Sequence, residues 1–393
     1  QFSDIKDHPL VYSYSTKLAI SDVLELSKSE SVKMIYPDNE LSIQLFESVI
    51  GMDIDDVWQE TVGPDSIRLD GTGTTVVIID SGVDYNHPDM WPNGISDTSK
   101  NIDGYDFYND DPDPMDDHGH GTHVAGIVGA NHDTLRSLDH RGNERYVPYQ
   151  GVAIGAKLVA FKVTGANGST FSSIVMTALE HALDPNQDGD YSDHYTIANL
   201  SLGSAEGSPD DPLSQLINFV VEQGMIVVVA AGNSGPDYET VNCPACAEKS
   251  IAVGATTKFS NWWTSSSVGP IYKNGQYYPF LKPDILAMGV NIVSSRTGNY
   301  NAYTSEVDDS FHSKSSGTSM AAPHVAGVAA LLKQKFPDMD PAEFANRIKT
   351  TAATGSNPYR LGAGELRALR ALDTDILFSR SDISFGRINI NGT

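Results

Sequence analysis

The sequence predicts an α/β fold, a mostly parallel central sheet with helices on both faces. Two observations predict it. Near-continuous, β-branched apolar runs recur along the chain, as in Val76-Val77-Ile78-Ile79 and Val227-Val228-Val229, and such runs suit strands buried on both faces. Segments with helical spacing lie between them, and strand–helix alternation signals a parallel sheet. The strands are expected at 76–80, 158–163, 196–200, 225–230 and 251–254. The helices are expected at 122–130, 171–183, 211–223 and 319–335, with a late amphipathic helix at 341–349. Pro323 is tolerated only near a helix start, which places that boundary close to Ser319. No internal repeat of solenoid period is visible.

Composition narrows the function classes. A chain of 393 residues with 40% hydrophobic residues accommodates one large domain with additions, or two domains. A net charge of −25 argues against nucleic acid as a partner and suits a soluble protein with cation sites. No segment approaches the roughly 18 apolar residues of a membrane span. No signal-peptide pattern is visible at Gln1.

Three distant segments carry an Asp, a His and a Ser. Asp80 ends the first apolar run and is followed by Ser81-Gly82. His120 opens Gly121-Thr122-His123-Val124-Ala125-Gly126. Ser319 lies in Gly317-Thr318-Ser319-Met320-Ala321-Ala322-Pro323-His324. In open α/β sheets, sites lie beyond the carboxyl ends of the strands, where a buried carboxylate orients an imidazole. A helix start at Ser319 favours developing negative charge. A fourth segment, Ala230-Ala231-Gly232-Asn233-Ser234-Gly235, is a strand end with a Gly-Asn turn. Alone, each has an ordinary structural explanation: Asp80 closing a turn, Ser319 capping a helix, Asn233 tolerating a left-handed turn, the histidines packing or binding a metal. All four in this order are hard to explain that way.

These segments, in the order Asp, His, Ser, closely resemble those of the subtilisin-like serine proteases, the subtilases. The resemblance implies a secreted, calcium-stabilised serine endopeptidase, made as a self-processing zymogen and monomeric. Its substrates would be proteins or peptides. Asp80, His120 and Ser319 would form the triad and Asn233 the oxyanion-hole amide. His123 would be a packed helix residue and His118 a surface residue. Asn199-Leu200-Ser201-Leu202-Gly203 resembles the strand that pairs with extended substrate. Ser201, Leu202, Gly203, Ala230, Ala231 and Gly232 would line the first pocket, with Asn242 near its floor. Phe171 and Ile174 resemble the opposite rim and distal pocket, or are ordinary helix-start core residues. No acidic residue falls at the pocket floor, so a broad or apolar preference is expected.

The catalytic domain is expected over 49–373. Residues 1–48 contain a capped amphipathic helix near 21–28 and a strand near 32–38. They resemble the second half of a subtilase propeptide, which would act as an intramolecular inhibitor with its cleavage junction within 39–49. A permanent N-terminal extension is the alternative. Residues 374–393, with strands near 376–378 and 381–386, are expected to begin a C-terminal β extension. Rival functions are a non-catalytic scaffold on the same fold, a zymogen with a blocked cleft, and acyl transfer instead of hydrolysis.

Two stretches point to Ca2+. Asp184, Asn186, Asp188 and Asp190 place oxygen ligands at alternate positions, with Gly189 at the sixth and Asp193 beyond. The twelfth position is Tyr195, so this is only the start of a calcium loop. Asp111, Asp113 and Asp116 crowd the loop before His120, with a solvated acidic loop as the alternative. Asp89 matches a ligand of the family's tight calcium site, but the partner loop after His132 is longer and basic (Arg136, His140, Arg141, Arg145). The only cysteines, Cys243 and Cys246, form either a local disulfide or two buried thiols.

Overall fold

The computed structural model of the chain describes residues 6–8, 13–15, 19–29, 31–32, 44–63, 66–90, 102–138, 144–297, 305–306 and 311–376. The chain divides into two compact units, residues 1–42 with 139–143, and residues 43–138 with 144–393. In the smaller unit, strand Lys6–His8 pairs antiparallel with Ser13–Ser15, and a helix spans Ile20–Leu26. The expected strand near 32–38 lies, beyond Val32, outside the described residues. So do residues 39–43 of the expected junction and the C-terminal strands from residue 377 onward.

The apolar runs of the larger unit form one parallel sheet. Its strands are β1 (Thr75–Asp80), β2 (Asp103–Asp106), β3 (Lys157–Lys162), β4 (Ile197–Leu200), β5 (Ile226–Ala230), β6 (Ile251–Thr256) and β7 (Ile285–Met288). The order across the seven-stranded sheet is β7-β6-β5-β4-β1-β3-β2, and every pairing is parallel. The two edge strands had not been expected. β2 has a polar sequence and pairs because Gly104 lies so close to the Ala160 carbonyl that a Cβ there would sit 2.0 Å from its oxygen. β7 is a four-residue run just after Pro283, too short to stand out.

Six helices position the site: α1 (Gln44–Gly51), α2 (His120–Gly129), α3 (Ser172–Leu183), α4 (Pro212–Glu222), α5 (Thr318–Lys335) and α6 (Pro341–Thr351). Side chains alternate along a strand, so one strand feeds two cores. Val76 and Ile78 pack in a cluster with Val124 and Ile127 of α2 and Val325 and Val328 of α5. Val77 and Ile79 pack in a second cluster with Val175 and Leu179 of α3 and Ile217 of α4. α5 is buried on all sides from Met320 to Leu332, as a helix in a core should be.

α1 docks on α5 through a buried hydrogen bond of 2.8 Å between Ser48 Oγ and His324 Nε2. His324 Nδ1 lies 2.8 Å from the Met320 carbonyl, which makes Nδ1 the donor and Nε2 the acceptor. Burial pushes the pKa of His324 down to about 4. Burial, together with His120 nearby, pushes that of His123 down to about 3.

Both histidines therefore stay neutral in the folded chain while the unfolded chain takes up protons below pH 6.5. Stability is then fully present above 6.5 and falls as pH drops toward 4, each group contributing about 1.4 kcal/mol per pH unit. Urea unfolding of the wild type and His324→Gln from pH 7 to 4.5 tests this. The variant is less stable at pH 7 but has the flatter pH slope; parallel slopes would refute the assignment.

Candidate active site

β1 lies between β3 and β4, and its carboxyl end is where the chain's progress across the sheet reverses, the place where α/β sheets open a crevice. Asp80 ends β1 there and is 3% exposed. Its Oδ1 accepts from the Ser81 N–H at 2.8 Å and lies 2.7 Å from His120 Nδ1. That contact makes Nδ1 the protonated nitrogen and leaves Nε2 as the basic one.

His120 is brought to Asp80 by the way α2 starts. Gly121 crosses Gly82 so closely that a Cβ would lie 2.1 Å from the Gly82 carbonyl oxygen. Ser81 Oγ accepts from the Gly121 N–H at 2.9 Å and donates to Asp116 Oδ1 at 2.9 Å. Asp116 also accepts from the N–H groups of His118, Gly119 and Thr122 and from the Thr122 hydroxyl. One carboxylate thus serves two of the N–H groups that the helix start leaves open, those of Gly119 and Thr122, and the His118 N–H just before them. Burial disfavours the His120 cation, but the Asp80 and Asp116 carboxylates outweigh it and raise the His120 pKa above its ordinary value.

Ser319 is the second residue of α5 and its Oγ donates to the Ser201 carbonyl at 2.9 Å. Helix α5 begins at Thr318, one residue before the expected boundary, with Pro323 inside the helix. Asn233 follows β5 and is exposed. Its Oδ1 accepts from the Thr318 N–H at 2.9 Å and the Thr318 hydroxyl at 3.0 Å. This turns the Asn233 NH2 away from Thr318. The preceding Gly232 has φ 105°, and a Cβ there would meet Asn242 Cγ at 2.7 Å.

Asp80, His120, Asn233 and Ser319 line one cleft of about 340 Å³. Of the expected pocket residues, Ser201, Leu202, Gly203, Ala230, Gly232 and Asn242 line it too. Three others are placed elsewhere. Ala231 is fully buried, its N–H on the Val253 carbonyl and its carbonyl on the Asn242 N–H. Phe171 is 73% exposed just before α3, and Ile174 packs against the second core. His118 is half-buried and lines the cleft, with its ring 6.4 Å from that of His120. His123 is fully buried beside the Ser313 carbonyl. Thr164 and Asn167 also line the cleft, and nothing in their local sequence announced it. Cys243 and Cys246 form a disulfide. Its loop is tied to the strand after Gly203 by paired Ser204–Cys243 backbone hydrogen bonds of 2.9 Å.

The acidic residues divide sharply as calcium ligands. Asp116 does not fit, because its oxygens are filled by the α2 donors. Asp89 is fully buried, with Oδ2 accepting from Ser295 Oγ and lying 2.9 Å from His312 Nε2 and 3.4 Å from His87 Nδ1, while its Oδ1 meets no hydrogen-bond donor among the described residues. Burial alone would raise its pKa, but His312, His87 and Ser295 lower it. Asp111 accepts from the Asp113 N–H, and Asp113 from Tyr85 Oη and the Met115 N–H. Among the described residues no group of three or more His, Cys, Asp or Glu side chains is gathered to hold a metal. The 184–193 loop retains a suitable donor chemistry. Asp184 accepts from the N–H groups of Asp188 and Gly189, Asn186 from that of Asp188, and Asp188 from that of Asp190, all on an exposed turn with Gly189 at φ 84°.

The arrangement brings an oriented imidazole, a hydroxyl on a helix start and a free amide donor to one cleft, the groups that acyl transfer requires. Comparison with known proteins agrees. The Subtilase family profile matches residues 71–366. The chain is 35% identical over 315 residues to serine protease AprX of Bacillus subtilis (strain 168), covering 76% of this chain and 66% of that protein. It is 36% identical over 300 residues to M-protease of Shouchella clausii (strain KSM-K16), spanning 64% of its length. It is also 35% identical over 300 residues to subtilisin Savinase of Lederbergia lenta, covering 91% of it. A cold-adapted subtilisin-like serine proteinase superposes with a TM-score of 0.56 at 26% identity, covering 80% of this chain and 96% of that one. A protease from Pseudoalteromonas arctica PAMC 21717 superposes at 0.60, again 26% identical, covering 82% and 93%. This chain belongs to the subtilase family.

Proposed function

We propose that the protein is a serine endopeptidase that cleaves peptide bonds through an acyl-enzyme. The observation that carries this reading is the 2.7 Å contact of His120 Nδ1 with Asp80, in the same cleft as Ser319 and Asn233. Ser319 Oγ attacks the scissile carbonyl once it swings from the Ser201 carbonyl toward His120. His120 Nε2 takes its proton and delivers it to the leaving amine, while Asp80 holds the tautomer and stabilises the imidazolium. The Asn233 NH2 and the Ser319 N–H donate to the tetrahedral oxyanion. Water then repeats the sequence on the acyl-enzyme. Substrate lies extended along 199–203, and Asn242 in the pocket wall, instead of an acid, supports a broad or apolar preference.

The same reading makes the protein secreted and made as a zymogen, with residues 1–48 as a propeptide-like inhibitor. Among the described residues, no helix is long and apolar enough to cross a membrane. Calcium is assigned to the 184–193 loop, where Asp184, Asn186, Asp188, Asp190 and Asp193 would hold it. Its contribution is to cross-link the loop and neutralise crowded carboxylates; no catalytic step depends on it.

Casein hydrolysis with calcium present tests the assignment. Ser319→Ala loses essentially all activity, and Asn233→Ala loses about 100-fold or more in kcat, the general size for one oxyanion donor in such sites. Equal activity of wild type and Ser319→Ala would remove Ser319 from its role. If neither is active, the integrity of the 39–49 segment separates a blocked zymogen from a scaffold.

The acid limb follows from the raised His120 pKa. The base form exists only above that pKa, so kcat/KM falls as pH drops through a value above the ordinary 6.5. Asp80→Asn lowers activity and moves the residual limb to lower pH; an unmoved limb would mean that another group titrates. For calcium, chelation lowers the thermal unfolding midpoint, and Asp188→Ala removes most of that response. No change on chelation would refute the site.

A further inference from the structure

We propose that the Ser201 side chain is a positioning residue for Ser319, supplying the hydrogen bond that Pro323 denies it. In a regular helix the N–H of residue 323 would bond to the carbonyl of residue 319. Pro323 has no N–H, so the Ser319 carbonyl loses its helical donor inside an otherwise buried helix. Ser201 Oγ takes that place, donating to the Ser319 carbonyl at 3.0 Å. The direction of this bond is fixed from behind. Asn199, fully buried, donates its Nδ2 to Ser201 Oγ at 3.0 Å, which leaves the hydroxyl proton for Ser319.

The connection is reciprocal, since Ser319 Oγ donates to the Ser201 carbonyl at 2.9 Å. Ser201 is 4% exposed, so solvent is a poor substitute donor. A chain Asn199–Ser201–Ser319 therefore ties the residue that attacks to the strand on which substrate lies. Its effect is on geometry: the Ser319 N–H and Oγ must face one carbonyl carbon together, and the adjoining peptide plane sets both. Ser201 touches no reacting atom through its side chain and acts only through Ser319. This inference rests on the serine-peptidase reading above.

The test is a cycle of four proteins: wild type, Ser201→Ala, Pro323→Ala and the double variant. Each is assayed for kcat and KM on a chromogenic peptide and for the rate at which a fluorophosphonate labels Ser319, with thermal unfolding as a check on folding. Ser201→Ala is expected to lower kcat and the labelling rate about 10- to 100-fold with little change in KM. In the Pro323→Ala background the same substitution costs much less, because the backbone N–H regained at that position now reaches the Ser319 carbonyl. An equal loss in both backgrounds would overturn the proposal, as would a change confined to KM, which would reduce Ser201 to pocket lining. If the labelling rate falls with kcat and is restored by Pro323→Ala, the role stands even where peptide assays are weak. A wild type that neither cleaves peptide nor is labelled at Ser319 would overturn the peptidase reading itself, and this inference with it.

Discussion

The site depends on how the start of α2 is fastened to the end of β1. A helix start carries N–H groups with no helical partner, and in a protein cleft they cannot rely on bulk water. Asp116 satisfies two of them, those of Gly119 and Thr122, together with the His118 N–H just before the helix and the Thr122 hydroxyl, and is itself tied to the end of β1 through Ser81 Oγ. The contact of Gly121 with Gly82 brings the two backbones closer than any side chain would allow. His120 then has its ring against Asp80 without needing a flexible loop to find it. A carboxylate that looks like one more acid in a crowded loop is the part that sets the geometry.

The second half of the site uses the same kind of joint at the start of α5. Thr318 is bound by Asn233 through both its N–H and its hydroxyl, and Thr318 Oγ1 accepts from the Gly232 N–H at 3.1 Å. The helix start and the turn after β5 are therefore one rigid piece. Two helix starts meet at the carboxyl end of a parallel sheet, and the sheet holds them because both its faces are buried in separate cores. The disulfide and its paired bonds to Ser204 stiffen the wall beside Asn242 in a similar way.

Charge is handled by pairing. Asp89 is held inside the protein by the Ser295 hydroxyl and His312 on one carboxylate oxygen, while its other oxygen meets no donor among the described residues. Lys162, at the end of β3, sits almost fully enclosed between Asp106 and Asp117, 3.2 and 3.0 Å from their carboxylates. Burial disfavours its charge, but the two acids raise its pKa. Asp106, Asp116 and Asp117 near the site are thus committed to local partners.

The sequence by itself determined the sheet and the identity of its central strands, because a β-branched run buried on both faces has few other uses. It also pointed to Asp80, His120, Asn233 and Ser319, since each sits at a strand end or helix start, but their roles came from the resemblance of those segments to subtilase motifs and not from local pattern alone. It did not find β2, whose polar residues pair only because Gly104 lets another strand come close. It placed Asp116 among cation ligands, because a carboxylate looks the same in sequence whether an ion or a set of backbone N–H groups will face it. Likewise Pro323 marked a helix start but not the carbonyl it would orphan, nor Ser201, 118 residues away, as the group that answers it. Local spacing fixes what a residue can do within one turn or one strand. Which donor meets which acceptor is decided only when distant segments pack, and in this chain that decided the fine geometry of the cleft.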